Sequence, residues 1–192
     1  LSSLSLKDVN LGKDTIIYSR TNEKLLPWYS NVEEKNLSSL TISNSSFHSL
    51  YLASFPYLSR LSITSNSVNL YGTLSLNKIG KENKNTEISI SDSLFQSISI
   101  KDSAARNIEI SKSLSPVDGT TDIKNVDIKQ NLNISTKDIE TSLSNISAKG
   151  DVNIFSGTTN LLSSSISLEM TSADSIVIES EGNLGPKNIE VR

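Results

Sequence analysis

The chain has 192 residues, no cysteine, one histidine, and 18 Lys plus Arg against 21 Asp plus Glu, a net charge of −3. Such a scattered, slightly acidic balance gives no cationic footprint for nucleic acid or an anionic membrane surface, and without thiols there are no disulfides, thiolate metal sites or cysteine nucleophiles. Ser, Thr and Asn number 38, 13 and 19, yet Ile, Leu, Val and Phe together make 56 residues, near 29%, above the roughly 20% below which a chain reads as disordered.

Residues 1–35 are expected to form an N-terminal cap or the first coils of whatever follows. Leu4, Leu6, Val9, Leu11 and Ile16 alternate with polar residues, the period of a half-buried strand. Lys24-Leu25-Leu26-Pro27-Trp28-Tyr29 carries the only tryptophan ahead of Glu33-Glu34-Lys35. A bulky insertion there would plug the open end of a stacked fold, with Trp28 a core aromatic under a loop rather than a stacking platform for a ligand. No basic stretch with an apolar core marks a leader. The start at Leu1 therefore reads as a mature or trimmed fragment. No apolar run approaches the roughly 18 residues of a spanning helix, so no membrane span is expected.

From residue 36 to 192 the chain is built of apolar–x–apolar triplets. Leu40-Thr41-Ile42, Leu50-Tyr51-Leu52, Leu61-Ser62-Ile63, Leu74-Ser75-Leu76, Ile88-Ser89-Ile90 and Ile98-Ser99-Ile100 open the series. Ile108-Glu109-Ile110, Val126-Asp127-Ile128, Leu132-Asn133-Ile134, Val152-Asn153-Ile154 and Ile166-Ser167-Leu168 continue it. Helical spacing is missing throughout. At an offset of 48, Ser43, Ser45, Phe47 and Ser49 fall on Ser91, Ser93, Phe95 and Ser97, and the flanking apolar pairs coincide. Repeats of this length mean a solenoid, whose coils bury their apolar faces only against one another. Two stretches, Leu37 to Ile42 and Leu58 to Val68, fit the leucine-rich-repeat spacing, but the helical half of that repeat is absent. The fold class is therefore all-β: a single-stranded parallel β-helix of about seven coils, about 22 residues each, with an N-terminal cap. Stacked at about 4.8 Å per coil, it would be a rod about 35 Å long. Ile189-Glu190-Val191 has no polar cap after it, so the solenoid is expected to continue in the natural protein or in an assembly partner.

Sites of chemistry are hard to find. A Ser–His–Asp arrangement would need His48, yet the repeat puts Gln96 at the equivalent place, and no nucleophile-elbow signature exists. Polysaccharide chemistry would need converging carboxylates. Asp122, Asp127 and Asp138, with Asp118 nearby, are the candidates, although alternation points Asp127 outward. Asp118-Gly119 and Asp122 match no calcium-loop spacing. Gly80-Lys81-Glu82 lacks the rest of a phosphate loop. The sequons at Asn36, Asn44, Asn133 and Asn145 match the about five that this composition yields by chance. The middle residues of the triplets are mostly small hydroxyls and amides, without the aromatic stripe of a sugar-binding groove. No catalytic, cofactor-binding or metal-ligating residue is therefore assigned, and no cofactor.

The triplets with Ser, Asn and Gly-Asp punctuation, as in Lys149-Gly150-Asp151-Val152-Asn153-Ile154, resemble bacterial adhesin β-helix domains and haemagglutinin-type repeats. Leu37 to Leu70 is also similar to the L-domain solenoids of fungal cell-wall proteins, though without their cysteines. The resemblance covers most of residues 36–192. It implies a cell-surface or secreted location and a structural or adhesive, non-enzymatic role, with a protein or glycan surface ligand as partner. Two alternatives stand beside it: a carbohydrate-binding or polysaccharide-degrading β-helix, and a scaffold that polymerises end to end.

Overall fold

Alternation of Ile, Leu and Val with Ser, Thr and Asn forces each segment into a strand with one wet face and one dry face. The computed structural model describes residues 2–11, 14–18, 37–64, 67–68, 72–83, 85–92, 94–112, 119–136, 140–156, 165–180 and 188–191, and every regular element among them is a strand. The chain climbs in rungs. The first is β1 (Ser2–Lys7), β2 (Asn10–Leu11) and β3 (Thr15–Tyr18); the second is β4 (Leu37–Ser43), β5 (Ser46–Phe47) and β6 (Leu50–Phe55). The third holds β7 (Arg60–Thr64), β8 (Ser67–Val68) and β9 (Thr73–Ile79). Later rungs pair two strands each: β10 (Glu87–Ser91) with β11 (Ser97–Ala105), then β12 (Asn107–Ser111) with β13 (Thr120–Ile128). They are followed by β14 (Leu132–Thr136) with β15 (Glu140–Ala148), β16 (Asp151–Ser156) with β17 (Ser165–Ser172), and β18 (Ser175–Ser180) with β19 (Asn188–Val191).

Each strand pairs with its counterparts in neighbouring rungs, always in parallel. The first sheet runs β1-β4-β7-β10-β12-β14-β16-β18, the second β3-β6-β9-β11-β13-β15-β17-β19, and a short third sheet joins β2, β5 and β8. This is a parallel β-solenoid. The two long sheets are eight strands deep: β4 to β19 supply the seven rungs expected after residue 36, and one more lies before them. β1, β2 and β3 pair with β4, β5 and β6, so of the two expectations for the first 35 residues, cap or first coils, residues 2–18 form a coil. Trp28 and its flanking segment lie outside the described residues. The 48-residue offset spans two rungs, since Leu40 pairs with Leu61 and Leu61 with Ile88.

The core is a set of stacked columns. Leu40, Leu61, Ile88, Ile108, Leu132 and Val152 form one, and Ile42, Ile63, Ile90, Ile110, Ile134 and Ile154 the next, all at most 2% exposed. On the second sheet Leu50, Leu74 and Ile98 stack under Thr121 and Thr141, and Leu52, Leu76, Ile100, Ile123 and Leu143 run beside them. Burying each Leu or Ile is worth about 1.5–3 kcal/mol. Phe47 and Phe95, matched by the repeat, are both buried at the corner between the long sheets.

Strict alternation fails at two places, each marked by residues in the left-handed region, most of them asparagine or aspartate. Asp8, Asn44 and Asp92 follow strands of the first sheet with φ of 56°, 47° and 50°. Within the second sheet Ser54, Lys78, Asp102, Asn125 and Asn145 form a second column, with φ between 49° and 61°. Asn and Asp tolerate the left-handed region better than other non-glycine residues. One such residue inside a strand puts two successive side chains outward and bends the strand into two arms. In β13, Ile123 is buried, Lys124 and Asn125 are exposed, and Val126 is buried again.

Buried serines repair the bends. Ser45 Oγ donates to the Ser43 carbonyl at 2.8 Å and accepts from the Val9 amide at 3.2 Å. Ser103 Oγ does the same one corner on, donating to Lys101 O at 2.7 Å and accepting from the Ile79 amide at 3.1 Å. Ser49 Oγ accepts from the Thr73 amide at 3.3 Å. The Ser45 and Ser103 hydroxyls pair backbone groups next to left-handed residues, where an unpaired one would be costly. The serine excess is thus partly interior, whereas the sequence places it only on the outer wall and in turns.

Asn125 tests the bend. Its Nδ2 donates to Asp102 Oδ1 at 2.9 Å, and its Oδ1 accepts from Asn145 Nδ2 at 3.0 Å. Asn125→Ala is expected to cost about 1–2 kcal/mol in urea unfolding, mostly from the left-handed φ. Asn125→Gly should cost less, because glycine takes that φ freely. Equal losses from both would assign the cost to the side-chain ladder instead.

Candidate functional site

The outer faces carry the polar residues that chemistry would use, one per rung. On the first sheet the column Thr41, Ser62, Ser89, Glu109, Asn133, Asn153 and Val177 faces outward. At the strand entries amides bridge rungs: Asn107 Oδ1 accepts from the Asn131 amide at 3.1 Å, and Asn131 Oδ1 from the Asp151 amide at 3.0 Å. Asn153 Nδ2 donates to Asn133 Oδ1 at 2.9 Å. These groups therefore spend part of their hydrogen-bonding capacity on holding rungs together.

The residues singled out in the sequence do not converge. His48 is exposed beside buried Phe47, with Nε2 4.0 Å from Asp14 Oδ1 and both side chains about half exposed. Its neighbour Ser49 is buried, and its Oγ accepts from the Thr73 amide rather than meeting the imidazole. Asp122 lies on the first arm of β13, where its Oδ2 meets Lys101 Nζ at 3.2 Å. Asp127 lies on the second arm, exposed, beyond the bend at Asn125. The bend puts the two carboxylates on different walls. Asp118 and Asp138 lie outside the described residues. Among the described residues no group of three or more His, Cys, Asp or Glu side chains is placed to hold a metal ion. Of the sequon asparagines, Asn44 donates to Asp8, Asn133 accepts from Asn153 and Asn145 donates to Asn125, while Asn36 is not among the described residues.

The Lys101–Asp122 pair is half exposed on both sides, so Asp122→Ala is expected to change unfolding free energy by less than about 0.5 kcal/mol. A loss above about 1.5 kcal/mol would give this carboxylate a role that its geometry does not.

Lys112 is an interior cation. It is 5% exposed, and its Nζ donates to the carbonyls of Gln96 at 3.3 Å and Thr120 at 3.1 Å. Rungs two and four place Phe47 and Phe95 at this corner, and the third sheet ends at β8. The ammonium thus supplies donors to backbone carbonyls beyond the end of that sheet.

One concavity draws several polar groups together, and the sequence gives little sign of it. An open groove of about 590 Å³ crosses the second arm of the second sheet, lined by Lys81, Asp102, Ser103, Ala104, Asn125, Asp127, Asn145 and Ser147. One rim is the left-handed column Asp102, Asn125 and Asn145, already tied by its amide ladder. The floor is the outward column Ala104, Asp127 and Ser147. At the end nearest the N terminus the loop after β9 closes the groove. Ala104 points outward by alternation yet is 5% exposed, because Gly80 packs against its carbonyl and Lys81 follows. Of these residues the sequence singles out Asp127 as a candidate carboxylate, Asn145 in a sequon and Lys81 in an incomplete phosphate loop. The readable signal is an Asn or Asp followed by three residues alternating inward, outward, inward, as in Asn125-Val126-Asp127-Ile128.

The fold and these sites define a parallel β-solenoid with polar outer walls. Comparisons with models of protein families, with curated proteins and with solved structures find no match to this chain. Among the described residues no helix is long and apolar enough to cross a membrane.

Proposed function

We propose that the chain is a non-enzymatic structural segment of a cell-surface or secreted protein, a stiff solenoid of the adhesin type that presents its outer walls to a protein or glycan surface. The observation that carries this reading is how the polar residues are distributed. Carboxylates, amides and hydroxyls recur once per rung and tie neighbouring rungs together, as in Asp102–Asn125–Asn145 and Asn133–Asn153. Acid–base chemistry needs such groups brought within hydrogen-bonding reach of one bond, whereas Asp122 and Asp127 face different walls. Repetition of one weak site along a rod suits avidity, in which many modest contacts add. Beads coated with the chain should be retained on glycan- or matrix-coated surfaces, and the chain should release no product from acidic polysaccharides. Product release that Asp127→Asn abolishes would sink the non-enzymatic reading; failure of the beads to adhere to any such surface would sink the adhesive one.

A second reading is self-assembly through open sheet edges. It draws on β18, where Ile176 and Val177 are 38% and 42% exposed, because an unpaired parallel edge is a template for another strand. Filaments by electron microscopy would support it, and a monomer in sedimentation at high concentration would count against it.

A further inference from the structure

We infer that the groove over β11, β13 and β15 is a carbohydrate site that receives the end of a neutral, hydroxyl-rich glycan chain, which deepens and rests on the adhesive reading. Three features of the groove carry the inference. Its polar groups repeat in register: Asp102, Asn125 and Asn145 on one side, Asp127 and Ser147 on the other, where Ala104 ends the column. Successive groups are therefore one rung apart, about 4.8 Å. A polymer of sugars likewise offers hydroxyls at regular intervals, and carboxylate and amide oxygens accept from neighbouring hydroxyls as a pair. No disordered arm has to be organised for this, because the Asn125 amide holds Asp102 and the Asn145 amide holds Asn125. Side chains fixed before binding lose less rotamer freedom when a ligand arrives.

The second feature is the closed end. The loop after β9 is pinned from below: the Gly80 amide donates to Phe55 O at 2.9 Å, and the Glu82 and Asn83 amides donate to Pro56 O at 2.9 and 3.0 Å. It covers Ala104 and leaves Lys81 at the groove's end. A chain passing straight through would collide with this loop, whereas a chain end fits, with Lys81 donating to its terminal hydroxyls.

Charge is the third feature. The lining holds two carboxylates, Asp102 and Asp127, against one ammonium, Lys81, which disfavours a polyanion such as nucleic acid or a sulfated glycan. The groove lining contains no aromatic ring for a sugar face to stack on. Affinity for one chain end is therefore expected near about 1 mM, with useful binding arising from several displayed copies.

The test is a titration of the full chain, followed by backbone amide NMR, with cellohexaose, chitohexaose and mannohexaose. At least one should shift the amides of Asp102, Asn125, Asp127, Asn145 and Ser147 saturably. Asp127→Ala should weaken that binding by about three- to tenfold, the cost of one or two hydrogen bonds. Ser147→Tyr, an outward substitution that fills the floor, should weaken it by more than about tenfold. Glu109→Gln, on the first sheet's outer face, should change nothing. Far-ultraviolet circular dichroism checks the fold of each variant, and Asp127→Ala carries the test if Ser147→Tyr misfolds. No saturable shift with any of the three sugars overturns the assignment, as does binding unaffected by both groove variants. Bead adhesion that persists in those variants places the adhesive surface elsewhere on the solenoid and overturns the groove alone.

Discussion

Phe95→Ala is expected to remove about 3–5 kcal/mol of unfolding free energy. The ring is fully buried at the corner between the long sheets, in the rung of β10 and β11. Deleting it removes the transfer energy of the ring and leaves a cavity that the corner can fill only by bending the strands. Those strands are locked in register on both sides: β10 pairs with β7 and β12, β11 with β9 and β13. Collapse is therefore limited, which argues for the upper part of the range. Because each rung touches only its neighbours, the damage is local, and the unfolding transition should broaden as rungs on either side uncouple. Urea unfolding followed by circular dichroism measures both effects. Phe95→Leu, which leaves a smaller void, should cost less. A loss under about 1 kcal/mol for Phe95→Ala would mean that the interior here is looser than its burial shows.

Gly80→Ala is expected to cost about 2–4 kcal/mol through two separate effects. Gly80 has φ of +65°, in the left-handed region, which costs an alanine about 1–2 kcal/mol. A Cβ there would also overlap the Ala104 carbonyl and Thr86 Oγ1, and would lie 2.7 Å from Thr86 Cβ. Thr86 cannot easily yield: its hydroxyl bonds Leu58 O, its amide donates to Asn83 O at 3.1 Å, and its carbonyl accepts from the Arg106 amide at 2.7 Å. Gly80→Asn separates the effects, since asparagine tolerates the φ but still adds the Cβ. Similar losses from both would put the cost in the overlap. A loss under about 1 kcal/mol from Gly80→Ala would mean that the loop is not packed down as described. The same substitution should lift the loop from Ala104, which hydrogen exchange at Lys81 and Glu82 would report.

Most of the fold is legible in the sequence because a solenoid writes its architecture in a local code. Leu40-Thr41-Ile42 and Ile108-Glu109-Ile110 each declare a strand with one dry face, and the 48-residue match of Phe47 with Phe95 declares the stacking. The bends were harder to read. Asn125 and Asp102 look like any other polar residues between apolar ones, and nothing local distinguishes an asparagine that turns a strand from one that ends it. Ser45 and Ser103 look like surface serines for the same reason: their burial follows from amides of another rung, contributed by Val9 and Ile79. The first rung also escaped a firm reading, because Leu4 and Ile16 alternate as a hairpin would, and only their pairing with Leu40 and Tyr51 tells the two apart.

Periodicity and composition, which act within a few residues of each position, suffice to make this chain a stacked β structure with an Ile/Leu interior and a Ser/Asn exterior. Which polar residues share a wall follows only from the assembled coil. Asp122 and Asp127, five positions apart, are parted by one left-handed residue, while Asp102, Asn125 and Asn145, more than forty positions from first to last, stand in one column. Neighbourhood across rungs depends on the length of every intervening loop and on the register of every ladder. Those are set by the summed packing of the whole coil and by no single segment.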